Sequence, residues 1–422
     1  MIALPFIYFT LLTVFFYRQR GIDPSTYISL LFTITTGCSV LLASDSLFAY
    51  YNKSTLESVT IVPTFLFCFL ITLAIVPVYK FNFKRINCIA LNSDRFIVLI
   101  TYVFFICFLL HLVLYFRDFI RTLALGSEMA ELRAGLYKGD QLQLTSYPPL
   151  VEMLALPFKV LADFSYVMIF IYFFSLSTKK LSLRMHIMMI LGSLSSVFVG
   201  ILGVDRSKSF YWVILAGLSY VLFYHFMNKQ VRRYIMRVGI LVVGLIVTYF
   251  IIMTIVRFRD TGVSSGILVY AGQSFINFCD FWTNYSAPDG VTLKHLFPSI
   301  SHFIFDNYDG AVNYQEKMTR LSGMECGVFY TYLGTFIISA GKMGPFIITM
   351  SYLVLASFVM KRNRGMVTFS KMLYMFLLLV IPSSGFIAYI YASTFITLTI
   401  VFLVIMIKFI KDKKISYYHK TK

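Results

Sequence analysis

Apolar runs follow one another along this chain with only short polar gaps between most of them. They fall at 2–17, 27–44, 60–79, 96–116, 153–177, 185–203, 210–227, 238–256, 344–360, 368–382 and 386–408. Within each run the apolar residues are nearly continuous, without the polar stripe that an amphipathic surface helix needs. About 20 such residues, wound as a helix, cross the ~30 Å of bilayer hydrocarbon. The pattern predicts an all-α, polytopic transmembrane helix bundle of about 11 spans (10–12). It reads as a single integral membrane domain over residues 1–422. Residues 2–17 lack a basic start and a small-residue cleavage site, so they read as the first span, with the N-terminus outside.

Two gaps are long. Residues 117–150 form one outer loop, and 257–327 form another that extends to 343 if the apolar stretch 328–340 does not cross. A crossing at 328–340 would carry the basic segment 361–371 outside, so a re-entrant or surface-lying segment is expected there. Long loops cost little extra entropy and often carry function, which puts any chemistry on the outer face.

Composition agrees with the pattern. The chain has 422 residues, is 59% hydrophobic and only 13% charged, and its mean hydropathy is +0.78. A soluble fold of this length cannot bury so large an apolar fraction. The net charge of +18 admits two explanations, nucleic-acid binding or membrane sidedness, and its placement separates them. The segments 18–26, 80–95, 178–184, 228–237, 361–371 and 408–422 together carry +20, and everything else carries −2. The basic excess therefore lies on one face in short loops, as the positive-inside rule requires of the cytoplasmic side. That excludes nucleic acid as the partner and puts the C-terminus in the cytoplasm.

The six cysteines are scattered and show no metal spacing. Cys279 and Cys326 share the large outer loop, as a disulfide or as two thiols. No internal repeat relates the halves, which argues against a transporter built from pseudo-symmetric repeats. Charges inside the runs are few, among them His111 in the fourth and Lys159 with Asp163 in the fifth. The latter two stand at i and i+4, spaced to pair on one helix face.

The outer face presents arginines at helix ends: Arg206 in Asp205-Arg206-Ser207, then Arg257 and Arg259 in Arg257-Phe258-Arg259-Asp260. Arg133 lies in the first long loop and Arg320 late in the second. The guanidinium is a fixed charge with a planar fork of donors that fits phosphate oxygens, and the same groups could serve as headgroup contacts. Asp205, Asp260 and Glu325 could take a proton from a hydroxyl or pair with a neighbouring arginine. His302 is a further acid–base candidate. Thr331 opens a segment with glycines at 334, 341 and 344 in an otherwise apolar stretch. Such glycines permit close helix approach or a broken helix.

These patterns together resemble the bacterial oligosaccharide repeat-unit polymerases, the O-antigen polymerase (Wzy-type) family. The likeness rests on the many spans, the late outer loop, Asp205-Arg206-Ser207, Arg257-Phe258-Arg259-Asp260, and Phe329-Tyr330-Thr331 leading to Gly341-Lys342-Met343-Gly344. Family members often have Asn ahead of the aromatic-Thr run and an acid before the last Gly-x-x-Gly. Gly327 and Ser339 stand near those places here.

The resemblance implies joining of undecaprenyl-diphosphate-linked oligosaccharide units at the periplasmic face of the inner membrane, without a nucleotide sugar or any cofactor. It makes both outer loops periplasmic. It puts Arg206, Arg257, Arg259, Arg133, Arg320 and Thr331 at the substrate, and Asp260, Asp205, Glu325 or His302 at the proton. The partners it implies are the lipid-linked glycan, the bilayer, a chain-length regulator and a flippase. Its rivals are an O-antigen ligase, which shares the architecture, and a polysaccharide flippase.

Overall fold

In the computed structural model, polar breaks between apolar runs become helix ends. It describes residues 1–91, 93–124, 148–178, 181–203, 206–257, 263–286, 311–361, 365–389, 400, 403, 405 and 416–419. Most of these are helical. Six helical stretches among them are long and apolar enough to cross a membrane: Pro24–Ala43, Ile61–Arg85, Asp94–Thr122, Leu183–Leu202, Ser207–Phe226 and Thr331–Val359. Met153–Ala162 and Val167–Thr178, bent by 60°, make a seventh if taken as one span. The chain is thus a multi-pass helical protein. Of the eleven expected runs, 386–408 falls mostly outside the described residues.

The chain groups into two compact units. The first holds Met1–Ile86, Ser264–Gly365 and Lys371–Thr397; the second holds Asn87–Val263, Met366–Ser370 and Leu398–Lys422.

In the first unit, α1 (Ala3–Arg20) ends at Gly21, whose φ of +70° suits glycine. Asp23 then caps α2 (Pro24–Ala43): its carboxylate accepts from the Thr26 amide at 3.1 Å, with Pro24 at the first helical position. Short helices α3 (Ser46–Tyr51) and α4 (Lys53–Glu57) lead to α5 (Ile61–Phe81). The rings of Phe9, Phe32 and Phe67 pack together at 5.4 to 6.0 Å between centroids.

The region read as the start of a long outer loop is instead a helix over Val263–Asn284, and it lines this aromatic core. Phe67 meets Phe275 at 5.0 Å and Phe278 at 5.5 Å. Gly272 lets the helix lie against the backbone of Cys38 and Ser39, where the Ser39 hydroxyl donates to the Gly272 carbonyl at 2.6 Å. Gln273, Ser274, Asn277 and Asp280 dilute the apolar signal; Gln273 meets Asn277, Asn277 also donates to the Phe329 carbonyl, Asp280 accepts from Ser58 and Asn284, and Ser274 is buried.

In the second unit, β1 (Cys88–Leu91) is followed by α6 (Asp94–Ala124), then by α7 (Pro149–Ala162) and α8 (Val167–Thr178) across the bend. Helices α9 (Leu183–Ser193) and α10 (Ser195–Leu202) follow, then α11 (Arg206–Phe223) and α12 (Lys229–Arg257). In the first unit α13 is the Val263–Asn284 helix, and α14 (Ala311–Ser322), α15 (Thr331–Ala340) and α16 (Gly344–Val359) complete its run. Last come β2 (Met366–Thr368), α17 (Phe369–Ser384) and β3 (Ser416–His419).

The fold is not purely α. A three-stranded sheet in the order β2-β1-β3 pairs β1 parallel to β2 and antiparallel to β3, with Ile89 opposite Val367 and Tyr418. Strands of three or four residues leave no periodicity to read. The sheet rests on aromatic side chains: Phe174 packs on Phe369 at 4.7 Å and on Tyr418 at 5.8 Å, and Phe170 on Phe223 at 5.1 Å.

Its three strands come from 80–95, 361–371 and 408–422, three of the basic segments assigned to one face by charge. Backbone pairing requires all three to lie on the same side of any membrane the helices cross. The number of crossings between each pair of strands is therefore even.

Candidate functional site

Two regions carry the expected site residues, one in each unit. In the second unit Arg206 opens α11 and Arg257 closes α12. The start of α11 is anchored. Lys208 pairs with Asp163 at the α7–α8 bend at 2.6 Å; the side chain of Lys159, the i,i+4 neighbour of that acid, lies outside the described residues. The Trp212 indole donates to the Ser193 hydroxyl at 3.1 Å. The Ser165 hydroxyl donates to the Ser193 carbonyl and accepts from the Ser196 amide, both at 3.0 Å. These serines cross-link the α7–α8 bend to the α9–α10 break, so the first turn of α11 starts from a braced corner.

The other end of α11 is braced too. Arg232 lies over the Tyr224 ring at 4.4 Å and donates through Nε to the Met227 carbonyl at 2.9 Å, which fixes the turn into α12. From residue 238 onward α12 is the apolar part of its helix. Its 20 residues to Arg257 rise about 30 Å, close to the rise of α11. If both helices cross a bilayer they do so in opposite senses, which puts Arg257 on the side where α11 begins. Asp205, Arg259, Asp260, Arg133 and His302 lie outside the described residues, as do the side chains of Arg206 and Arg257.

In the first unit, Arg320, Glu325 and Thr331 follow one another. Arg320 is exposed in the last turn of α14, where a cation suits the negative end of the helix dipole. Glu325 is exposed, and its Oε1 accepts from the Gly327 amide at 2.8 Å. Thr331 is fully buried. Its φ of +66° is unusual for a β-branched residue and costs about 1–3 kcal/mol. The strain is held in place by hydrogen bonds. The Thr331 and Tyr332 amides donate to the Ile387 and Gly385 carbonyls at 3.1 and 2.8 Å. The Thr335 hydroxyl accepts from the Tyr389 amide at 3.2 Å. Thr331 thus fixes the start of α15 through its backbone.

Around α15 the structure adds Asn277 and Tyr285, which sequence reasoning passed over, and it gives defined partners to Asp280, one of the outer-face acids read as a possible base or ion-pair partner. Asn277 donates to the Phe329 carbonyl at 2.8 Å, and Tyr285 to the Ile338 carbonyl at 3.2 Å. Asp280 accepts from Ser58 at 2.9 Å and from Asn284 at 2.7 Å through one oxygen. Asn277, Asp280 and Asn284 fall near helical spacing on α13, a signal legible once that segment is taken as a helix.

The two Gly-x-x-Gly glycines have separate jobs. Gly341 takes φ +63° and ends α15. Gly344 begins α16 so close to α15 that a methyl group there would fall on the Phe336 carbonyl oxygen. In a straight helix those residues would stand about 12 Å apart, so the chain does not run straight from α15 into α16.

All six cysteines are free thiols, which settles Cys279 and Cys326 as unpaired. Burial pushes the Cys326 thiol up to about 11, so it is protonated at neutral pH. His111 is buried, with Nδ1 at 2.8 Å from the Cys107 carbonyl. Among the described residues, no three His, Cys, Asp or Glu side chains gather as a metal site. No family model, curated protein or solved structure matches this chain.

Proposed function

We propose that this chain polymerises undecaprenyl-diphosphate-linked oligosaccharide repeat units into a surface polysaccharide, O-antigen or capsule, at the periplasmic face of a bacterial inner membrane. The observation that carries the reading is the sheet. It gathers three basic segments, including the C-terminal one, on a single side, which the charge excess makes the cytoplasm. From β1 the chain passes along α6, the bent pair α7–α8 and the pair α9–α10 before it reaches Arg206. Read as one crossing each, these three passages would leave Arg206 on the far side, and crossings by α11 and α12 would return Arg257 there. Two arginines on the leaflet opposite the basic face are not explained by positive-inside bias. They fit a lipid diphosphate whose glycan is outside.

In the reaction, the bond between the donor sugar's anomeric carbon and the diphosphate oxygen breaks. A new bond forms from that carbon to a hydroxyl oxygen of the incoming unit. The leaving electron pair goes to undecaprenyl diphosphate, where Arg206, Arg257, Arg259 and Arg133 offset the developing charge as preorganised donors. The hydroxyl proton goes to a carboxylate or imidazole, with Asp260, Asp205, Glu325 and His302 the candidates. A chain-length regulator and a flippase are the protein partners that this step needs around it.

Deletion of the gene followed by gel analysis of the surface polysaccharide tests the reading. The expected result is a single repeat unit on its lipid anchor. Bare anchor with long lipid-linked chains accumulating indicates a ligase, and units trapped on the inner face indicate a flippase. Either outcome removes the polymerase assignment.

A further inference from the structure

In the second unit, α6 and α9 are in close contact at Gly192: a methyl group there would stand 3.1 Å from the Phe104 carbonyl carbon and 3.2 Å from the Phe105 amide nitrogen. Beside this contact lies a cavity of about 400 Å³, lined by Phe105, Leu183, Arg184, Ile187, Met188 and Leu191. That is within the size range of small-molecule and cofactor sites. The α9 residues stand at i, i+1, i+4, i+5 and i+8, so a single helix face forms one wall. The opposite face of α9 is already used, where His186 meets the Ser175 hydroxyl at 3.1 Å and the Tyr172 ring at 5.8 Å. The groove opens sideways, since Leu183 is 71% exposed and Ile187 50%.

Charge sets apart one end of this groove. Arg184 is the only charged residue lining it, is exposed, and has no ion pair among the described residues. It sits in the first turn of α9, where no acid is present. A helix start is already the positive end of the dipole, and a cation there is unfavourable by a few tenths of a kcal/mol to about 1 kcal/mol. An anion at Arg184 reverses that sign. Both walls belong to helices long and apolar enough to span a membrane. In that surrounding the apolar ligand at hand is an acyl chain, and an acyl chain joined to an anion is an anionic phospholipid.

We propose that the groove between α6 and α9 is a binding site for an anionic phospholipid. One acyl chain lies along Phe105, Ile187 and Leu191, and the phosphate group sits on Arg184. Bound there, the lipid fills the cavity beside the Gly192 contact and ties α6 to α9.

Native mass spectrometry of the full-length protein, released from detergent with phosphatidylglycerol or phosphatidylcholine of matched chains, tests the site. The wild type should retain phosphatidylglycerol about tenfold better, the factor expected of one charge-assisted contact. Arg184→Gln should remove that preference while keeping weak retention of both lipids. Ile187→Trp should reduce retention of both by filling the groove. Both positions are exposed, so the fold has little to lose, and an unchanged melting temperature confirms this. Equal retention of the two lipids by the wild type would overturn the proposal. So would an unchanged preference in the Arg184 variant, or a dimer that buries Leu183 and Ile187 against a second copy.

Discussion

Arg206→Ala and Arg257→Ala are each expected to abolish long polysaccharide chains while the protein stays at normal abundance in the membrane. The diphosphate gains negative charge as the anomeric bond breaks, and a donor fixed in advance stabilises that charge without reorganising. Loss of one such donor costs about 10²–10³ in rate. Arg206 starts from the corner braced by Lys208–Asp163 and Trp212–Ser193, so its helix start does not depend on the guanidinium. Lysine at either position should restore little, because a point charge on a flexible stem cannot replace the two-pronged contact. The double variant should be no worse than about either single one, as groups acting on one leaving group are not additive. Ladder gels, with immunoblots for protein level, measure this. Normal ladders in both single variants would remove the diphosphate clamp.

Gly344→Ala should destabilise the first unit by roughly 1–3 kcal/mol or more, the cost of overpacking a filled interior. The obstacle is a backbone oxygen, that of Phe336, and cannot turn aside as a side chain can. Relief requires α15 and α16 to separate. Every side chain from Thr331 to Ser339 is buried, so separation loosens the hydrogen bonds that hold Thr331 in its strained conformation. Gly239→Ala is the matched control. It lies inside α12 with nothing within 4 Å of an added methyl, and alanine there should be neutral or stabilising by up to about 1 kcal/mol. Thermal unfolding in detergent separates the two. Equal melting temperatures would show that the α15–α16 contact is not tight.

Hydropathy made most of the helices legible, because burial in lipid is a property of composition. The starts of α2, α5, α9 and α16 fall within three residues of the runs read from the pattern. Features set by single side chains were harder to see. The bend between α7 and α8 falls inside a run read as a single span, and its anchor, Lys208, is 45 residues from Asp163 in sequence. Helix α13 was hidden because Ser, Gln, Asn and Asp residues satisfied by neighbouring chain score the same as residues facing water. The sheet was hidden by its length, although its strands had been grouped by charge. At the candidate site the glycines at 341 and 344 were visible and their separate roles were not, since one answers to a backbone angle and the other to a neighbour eight residues away. Thr331 was placed at the substrate by resemblance alone, and its backbone pairing with 385–387 could not be read from the sequence because it joins segments more than fifty residues apart.

Purified protein in liposomes, supplied with undecaprenyl-diphosphate-linked repeat units and nothing else, provides the most direct measurement. A ladder of products should form, with one undecaprenyl diphosphate released for each new glycosidic bond. Unchanged single units in a protein shown to be folded by its melting transition would contradict the assignment.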